Sequence, residues 1–313
     1  MSLETCLPAD LRGPTTTITR IAAGMSGAGV YRVEAAGQAF VLKLSGEGEP
    51  LEGWRRKLHI QQLAANAGLA PRVVHSDEAR RAVVSAFVVD RSFPALYGDP
   101  RTHEAALTKL GQTVRRVHAL PLPPDVEPKD PRAFITTVWS GLLKNFVTPP
   151  FVGEAVQRML TEEPPASERA PVLSHNDVNP TNLVYDGEKL MLLDWETAGL
   201  NDPYYDPAAI SVFLRMDEAT CQRLLSAYDG KPVSSLPARF AYSRRLVAVQ
   251  CGVACLHVAR SSGHAGATGG ETLDSTPALG DFYQQMRSGS LSLATAEGQW
   301  KFGLALVKTG VTL

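Results

Sequence analysis

Thr15 to Ala22 is β-branched and alternates apolar with polar positions, and Val30 to Ala35 and Gln38 to Leu44 follow as two further runs of strand length. Between the first two, the glycine-rich run Gly24-Met25-Ser26-Gly27-Ala28-Gly29 predicts a turn. From Leu51 to Ala67 the period lengthens to that of a helix, with Trp54, Leu58 and Leu63 apolar, and Gly68 and Pro71 end it. Val73-Val74 and Ala82 to Val89 predict two more strands. Asp90 to Pro100 reads as a connector, His103 to Ala119 as a helix and the proline-rich Leu120 to Pro131 as a loop. Further helices are predicted near 132–145, 151–162, 206–228, 236–261 and 290–308. The Gly, Ser and Thr of Ser261 to Thr276 lack periodicity and predict a mobile loop. The pattern gives an α+β chain: a small antiparallel sheet with one helix over 1–89, then a larger, mainly helical part over 90–313.

Composition narrows the classes. The chain has 313 residues, enough for two lobes with their own cores, with 44% hydrophobic and 20% charged residues. A net charge of -1 provides no overall basic field for nucleic acid or an anionic membrane, so neither partner is expected. Met1 to Arg12 lacks a signal-peptide apolar core, and Leu246 to Ala259, broken by Gln250 and His257, is too short to span a bilayer. Cytoplasm is the expected compartment. Four cysteines are too few for a disulfide framework, and Cys251 and Cys255, four apart in an apolar helix, read as core residues.

The chemistry is concentrated in Leu173-Ser174-His175-Asn176-Asp177-Val178-Asn179-Pro180-Thr181-Asn182 and in Leu192-Leu193-Asp194-Trp195-Glu196. An aspartate within reach of a substrate hydroxyl can orient it and take its proton, which suits Asp177. Five residues on, Asn182 offers a neutral oxygen to Mg²⁺ without repelling phosphate. Leu183-Val184-Tyr185, the turn signal Asp186-Gly187 and Lys189 to Leu193 predict a hairpin that returns Asp194 beside Asn182. His-x-Asp alone arises often by chance; the ordered combination is far more specific.

The stretch 173–210 resembles the catalytic core of the choline/ethanolamine kinase and aminoglycoside phosphotransferase superfamily, which has the bilobal protein-kinase-like fold. The wording Asp194-Trp195-Glu196-Thr197-Ala198-Gly199, then Asn201-Asp202-Pro203 and Asp206, is similar to its choline kinase and LicA-like branch. The resemblance implies Asp177 as base, Asn182 and Asp194 as Mg²⁺ ligands, His175 as a brace for the loop and Asp206 as its anchor. It also implies nucleotide contacts at Ser26, Gly27 and Ala28, at Lys43 for the α- and β-phosphates, and at Ala86 and Val88 for adenine. Read without it, 24–29 is equally a glycine-rich hairpin, and a mid-strand lysine can snorkel. Relatives usually place a glutamate on the helix of the first lobe to pair with the strand lysine. Here that position falls near Lys57, of the wrong charge, and Glu52 faces about 140° away at helical spacing. Either another group partners Lys43, or the register differs, or nucleotide binding is weakened.

The implied activity is ATP-dependent transfer of the γ-phosphoryl group to a small cationic alcohol of the choline or ethanolamine kind. Glu196, Trp195, Asp202 and Tyr204 are candidate acceptor contacts. A quaternary ammonium needs aromatic faces, yet the helix that bears a Trp in choline and LicA-type relatives carries Gln250-Cys251-Gly252 here. An aminoglycoside-type phosphotransferase is the alternative, and a catalytically weak nucleotide-binding pseudokinase is the alternative of another class.

Overall fold

The computed structural model describes residues 3–21, 29–46 and 48–313. They form two compact units.

The first unit comprises 1–127, 172–200 and 227–230. Its sheet contains β1 (Thr17–Arg20), β2 (Gly29–Ala35), β3 (Gln38–Leu44), β4 (Val73–Asp77) and β5 (Ala82–Ala86), in the order β1-β2-β3-β5-β4. Every neighbouring pair is antiparallel, and Lys43 lies opposite Val30 on one side and Val83 on the other. Cys6, Leu7 and Leu11 from the first turns pack with Val33, Phe40, Leu42 and Val84 into one core. Between β3 and β4 runs α1 (Leu51–Asn66), which ends as predicted at Gly68, where φ is +69° and Leu69 N–H returns to the Ala64 carbonyl at 2.8 Å.

The expected connector 90–100 contains a short helix, α2 (Phe93–Gly98), capped by Ser92 Oγ accepting from Ala95 N–H at 3.3 Å, with Pro94 in its first turn. α3 (His103–His118) buries the stripe Leu107, Leu110, Val114 and Val117. His118, in its last turn, meets the Tyr228 hydroxyl through Nδ1 at 2.7 Å. Then β6 (Val172–Ser174) leads to the hairpin of β7 (Leu183–Tyr185) and β8 (Leu190–Leu192), and β6 pairs with β9 (Gly199–Asn201). The hairpin is tied into the sheet-bearing unit. Leu192 N–H donates to the Leu69 carbonyl at 2.8 Å, and Arg91 N–H to that of Tyr185 at 2.6 Å.

The second unit comprises 128–171, 201–226 and 231–313. It holds α4 (Pro131–Leu142), α5 (Pro150–Thr161), α6 (Tyr205–Phe213), most of α7 (Glu218–Asp229), α8 (Ala238–Ser261), α9 (Leu279–Arg287) and α10 (Ala296–Thr312). The single helix expected over 206–228 is two. Arg215 turns to φ +54°, Met216 N–H returns to the Ser211 carbonyl at 2.8 Å, and Asp217 Oδ1 accepts from Thr220 N–H at 2.8 Å to start α7. The loop expected over 261–276 is a coil that carries several hydrogen bonds. The Glu271 carboxylate accepts from Thr268 and Gly269 N–H, Ala267 N–H donates to the Val147 carbonyl, and His264 stacks on Trp300 with centroids 4.6 Å apart. Composition marked 261–276 as lacking a helical face; it did not reveal the side-chain bonds that fix it. Among the described residues no helix is long and apolar enough to cross a membrane.

Candidate active site

Three predicted residues of the first unit converge on the backbone of Leu193. Its N–H donates to the Asn182 carbonyl at 2.8 Å, and its carbonyl lies 2.9 Å from His175 Nε2. Asp194 follows directly in the chain. His175 is fully buried, and its Nδ1 accepts from Asp177 N–H at 3.3 Å. The ring thus links Asp177 N–H to the Leu193 carbonyl. Asn176 bends the chain at φ +65°, its amide donating to the Ser174 carbonyl at 3.1 Å and the Thr197 carbonyl at 3.2 Å.

The Asp177 carboxylate is held from two sides. Asn179 Nδ2 donates to Oδ1 at 2.9 Å, and Asn182 Nδ2 to Oδ2 at 2.7 Å. Burial pushes the Asp177 pKa up, and the nearby Asp194 charge adds to this, against the lowering effects of His175 and the two amide donors. Asn179 was not singled out in the sequence. Its Oδ1 accepts from Thr181 N–H at 2.9 Å and caps the turn through Pro180, for which Asn-Pro was the available signal.

Asp194 has left-handed backbone, φ +61° and ψ +66°, unusual for a residue with a Cβ and costing of order 1–3 kcal/mol. Its Oδ1 lies 2.7 Å from Lys43 Nζ. Glu196 Oε1 lies 2.5 Å from the same nitrogen. Burial draws the Lys43 pKa down, but the Asp194 and Glu196 carboxylates more than offset this and hold it above the ordinary lysine value. The helix position that raised doubt, Lys57, is paired with Glu49 at 2.6 Å. Asn182 turns its nitrogen to Asp177, so its side-chain oxygen and the Asp194 carboxylate are the groups that could hold a cation. An all-oxygen donor set with few protein ligands suits Mg²⁺ carried with phosphates. Among the described residues no group of three or more His, Cys, Asp or Glu could hold a metal ion.

Ser26, Gly27 and Ala28 lie outside the described residues. At the end of β5, Ala86 N–H is given to the Arg72 carbonyl at 2.8 Å, while Val88 N–H, two residues on, bonds no backbone carbonyl among the described residues. The acceptor candidates are engaged within their own units. Trp195 is buried, its indole N–H donating to the Leu192 carbonyl at 3.0 Å and its ring packed against His175, so it is structural. Glu196 is at Lys43. In the second unit Asp202 pairs with Arg239 at 2.8 Å and accepts from Tyr204 N–H at 2.9 Å. Tyr204 is buried with the Arg169 guanidinium 4.6 Å over its ring. Asp206 is fully buried in the first turn of α6.

A strand lysine paired across 151 residues to an aspartate that follows a hairpin, with a braced Asp–Asn loop before it, belongs to the protein-kinase-like α+β fold. The family described as "Phosphotransferase enzyme family" matches residues 17–235, and the chain belongs to it. Protein LicA of Haemophilus influenzae is 37% identical over 54 residues, 17% of this chain and only 20% of that protein. The choline kinase LicA from Streptococcus pneumoniae has a TM-score of 0.59 at 18% identity, over 89% of this chain and 93% of that one. Macrolide 2'-phosphotransferase MphH from Brachybacterium faecium has a TM-score of 0.57 at 20% identity, over 84% and 95% respectively. At such identities the likeness to the two structures is one of fold.

Proposed function

We propose that the chain is an ATP-dependent small-molecule kinase that transfers the γ-phosphoryl group to a hydroxyl of a small cationic alcohol, of the choline or ethanolamine kind. One observation carries this reading: Lys43 and Asp194 meet at 2.7 Å, with Asp194 next in the chain to the residue that ties Asn182 and His175 together. Lys43 places its ammonium for the α- and β-phosphates. The acceptor hydroxyl is oriented by Asp177, which takes its proton as the oxygen forms its bond to phosphorus and the bond to the leaving diphosphate breaks. Asn182 Oδ1 and the Asp194 carboxylate are the oxygens offered to Mg²⁺. Bound Mg²⁺ supplies neutralisation of the phosphate charge.

A second reading has support of its own. Of the aromatics that could face an ammonium, Trp195, Tyr204, Tyr205 and Trp300 are each under 10% exposed and Trp139 is half-buried, whereas an antibiotic-type phosphotransferase needs no aromatic cage. A panel of choline, ethanolamine, aminoglycosides and macrolides with Mg·ATP separates the readings by turnover and melting shift. Binding raises stability as RT ln(1 + [L]/Kd), so weak acceptors still rank. Turnover of choline or ethanolamine is expected. Antibiotics alone acting would select the second reading, and no turnover of any acceptor would leave a nucleotide-binding protein without this chemistry.

The state of Asp177 makes a further prediction. A base must be ionised, and burial raises this carboxyl, so activity should fall with acidification at a pH above the usual aspartate value of about 3.9. Asn179→Ala removes a donor to the ionised form and should move that limb to still higher pH in a kcat/KM profile. By linkage, ionised Asp177 lowers stability, and this cost is relieved as pH falls through its raised pKa.

A further inference from the structure

Lys43 has two carboxylates at its ammonium, and only one of them has a part in the phosphotransfer reading, on which this inference rests. Asp194, at 2.7 Å, would be drawn away by a bound divalent cation, which competes strongly with an ammonium for carboxylate oxygens. Glu196, at 2.5 Å, then remains as the counter-charge.

Helix α1 supplies no substitute. The cavity around Lys43 is lined from that helix by Trp54, Lys57, Leu58 and Gln61, one face at the spacing i, i+3, i+4, i+7, and none is acidic. Lys57 is occupied by Glu49 at 2.6 Å, and the Gln61 amide donates to Ser85 Oγ at 3.3 Å. Glu196 by contrast stands on a fixed platform. It lies in the single turn Trp195–Thr197, pinned on one side by the Trp195 indole at the Leu192 carbonyl and on the other by Thr197 Oγ1 donating to the His175 carbonyl at 3.0 Å.

A lysine side chain confined to one conformation loses rotamer freedom, and an anion fixed at its ammonium offsets that cost. We propose that Glu196 is the positioning residue of Lys43, supplying from the turn after β8 the carboxylate that helix α1 lacks. The charge arrangement is thereby exchanged: the helix carries a lysine where a carboxylate is expected, and the motif turn carries the glutamate.

The test compares Glu196→Gln with the double variant Glu196→Gln/Lys57→Glu, which returns a carboxylate to the helix face of the same cavity. In nucleotide- and metal-free protein, the rate of Lys43 modification by trinitrobenzenesulfonate is read by peptide mass spectrometry. In the complete enzyme, kcat/KM for ATP, KM for the acceptor and the Mg²⁺ requirement are measured. Glu196→Gln is expected to speed Lys43 modification severalfold and to lower kcat/KM for ATP by about 10–100-fold, the cost of a misplaced group, with acceptor KM unmoved. The double variant should recover most of both. Unchanged Lys43 modification, failure of the double variant to recover, or an effect confined to acceptor KM or to the Mg²⁺ requirement would overturn the proposal. If the wild-type chain turns over no acceptor, the phosphotransfer reading falls, and the modification rate still decides whether Glu196 holds the lysine.

Discussion

Asp177→Asn is expected to lower kcat by about 10²–10⁴-fold, the range for a positioned general base, while leaving the protein folded. That loss equals about 3–5 kcal/mol of transition-state stabilisation. Asparagine keeps the shape and one acceptor oxygen for the amides of Asn179 and Asn182, and it removes a carboxylate whose ionised form burial disfavours. Melting temperature should therefore stay level or rise as turnover collapses. Alanine is the poorer probe, because it leaves both amide donors without their acceptor. Steady-state kinetics beside a melt decides the matter. A kcat within about fivefold of wild type would remove Asp177 from the role of base.

The second large effect is on stability, at the crossing of α8 and α10. A Cβ on Gly252 would lie 2.6 Å from Val307 Cγ2, 2.9 Å from the Gly303 carbonyl oxygen and 3.0 Å from Val307 N. Two of these neighbours are backbone, so the helices themselves must separate. Replacing glycine by alanine in a helix gains about 1 kcal/mol of propensity, whereas overpacking costs roughly 1–3 kcal/mol. The clash wins for alanine by a small margin. Gly252→Val adds two methyl groups in the same place and should cost on the order of 3 kcal/mol or more. Gly141→Ala on α4 is the control: nothing lies within 4 Å of its added Cβ, so it should gain about 0.5–1 kcal/mol. Denaturant melts of the three variants would show the ordering, and a Gly252→Val protein as stable as wild type would contradict the close crossing.

This crossing also explains why Gln250-Cys251-Gly252 stands where a tryptophan was sought. Gly252 is spent on helix contact, and Gln250 Oε1 accepts from the Tyr205 hydroxyl at 2.8 Å. Neither job is visible in a helical period, which records that a face is apolar and not what it meets.

Legibility followed the range of the interaction. Asp186-Gly187 announced the hairpin because a two-residue turn is a local matter: Asp186 Oδ1 accepts from Glu188 N–H at 2.8 Å and Lys189 N–H at 2.7 Å. Ser92 as cap and Pro94 in the first turn mark α2 equally locally. The break between α6 and α7 carried no glycine or proline at Arg215, so the apolar period ran through it. The same limit governed the site. The spacing of Asp177, Asn182 and Asp194 could be read because a single loop and hairpin join them, while the partner of Lys43 lies 151 residues away for Asp194 and could not.

By itself, then, the amino-acid order determined the strands and most of the helices, the phosphotransferase likeness and the group of side chains to suspect, since these follow from period, turn chemistry and short-range spacing. Only the folded chain decided which carboxylates face the Lys43 ammonium, which aromatics are buried in packing and how closely α8 meets α10. Those outcomes depend on side chains that chain order keeps far apart and that only burial in a shared core brings into contact.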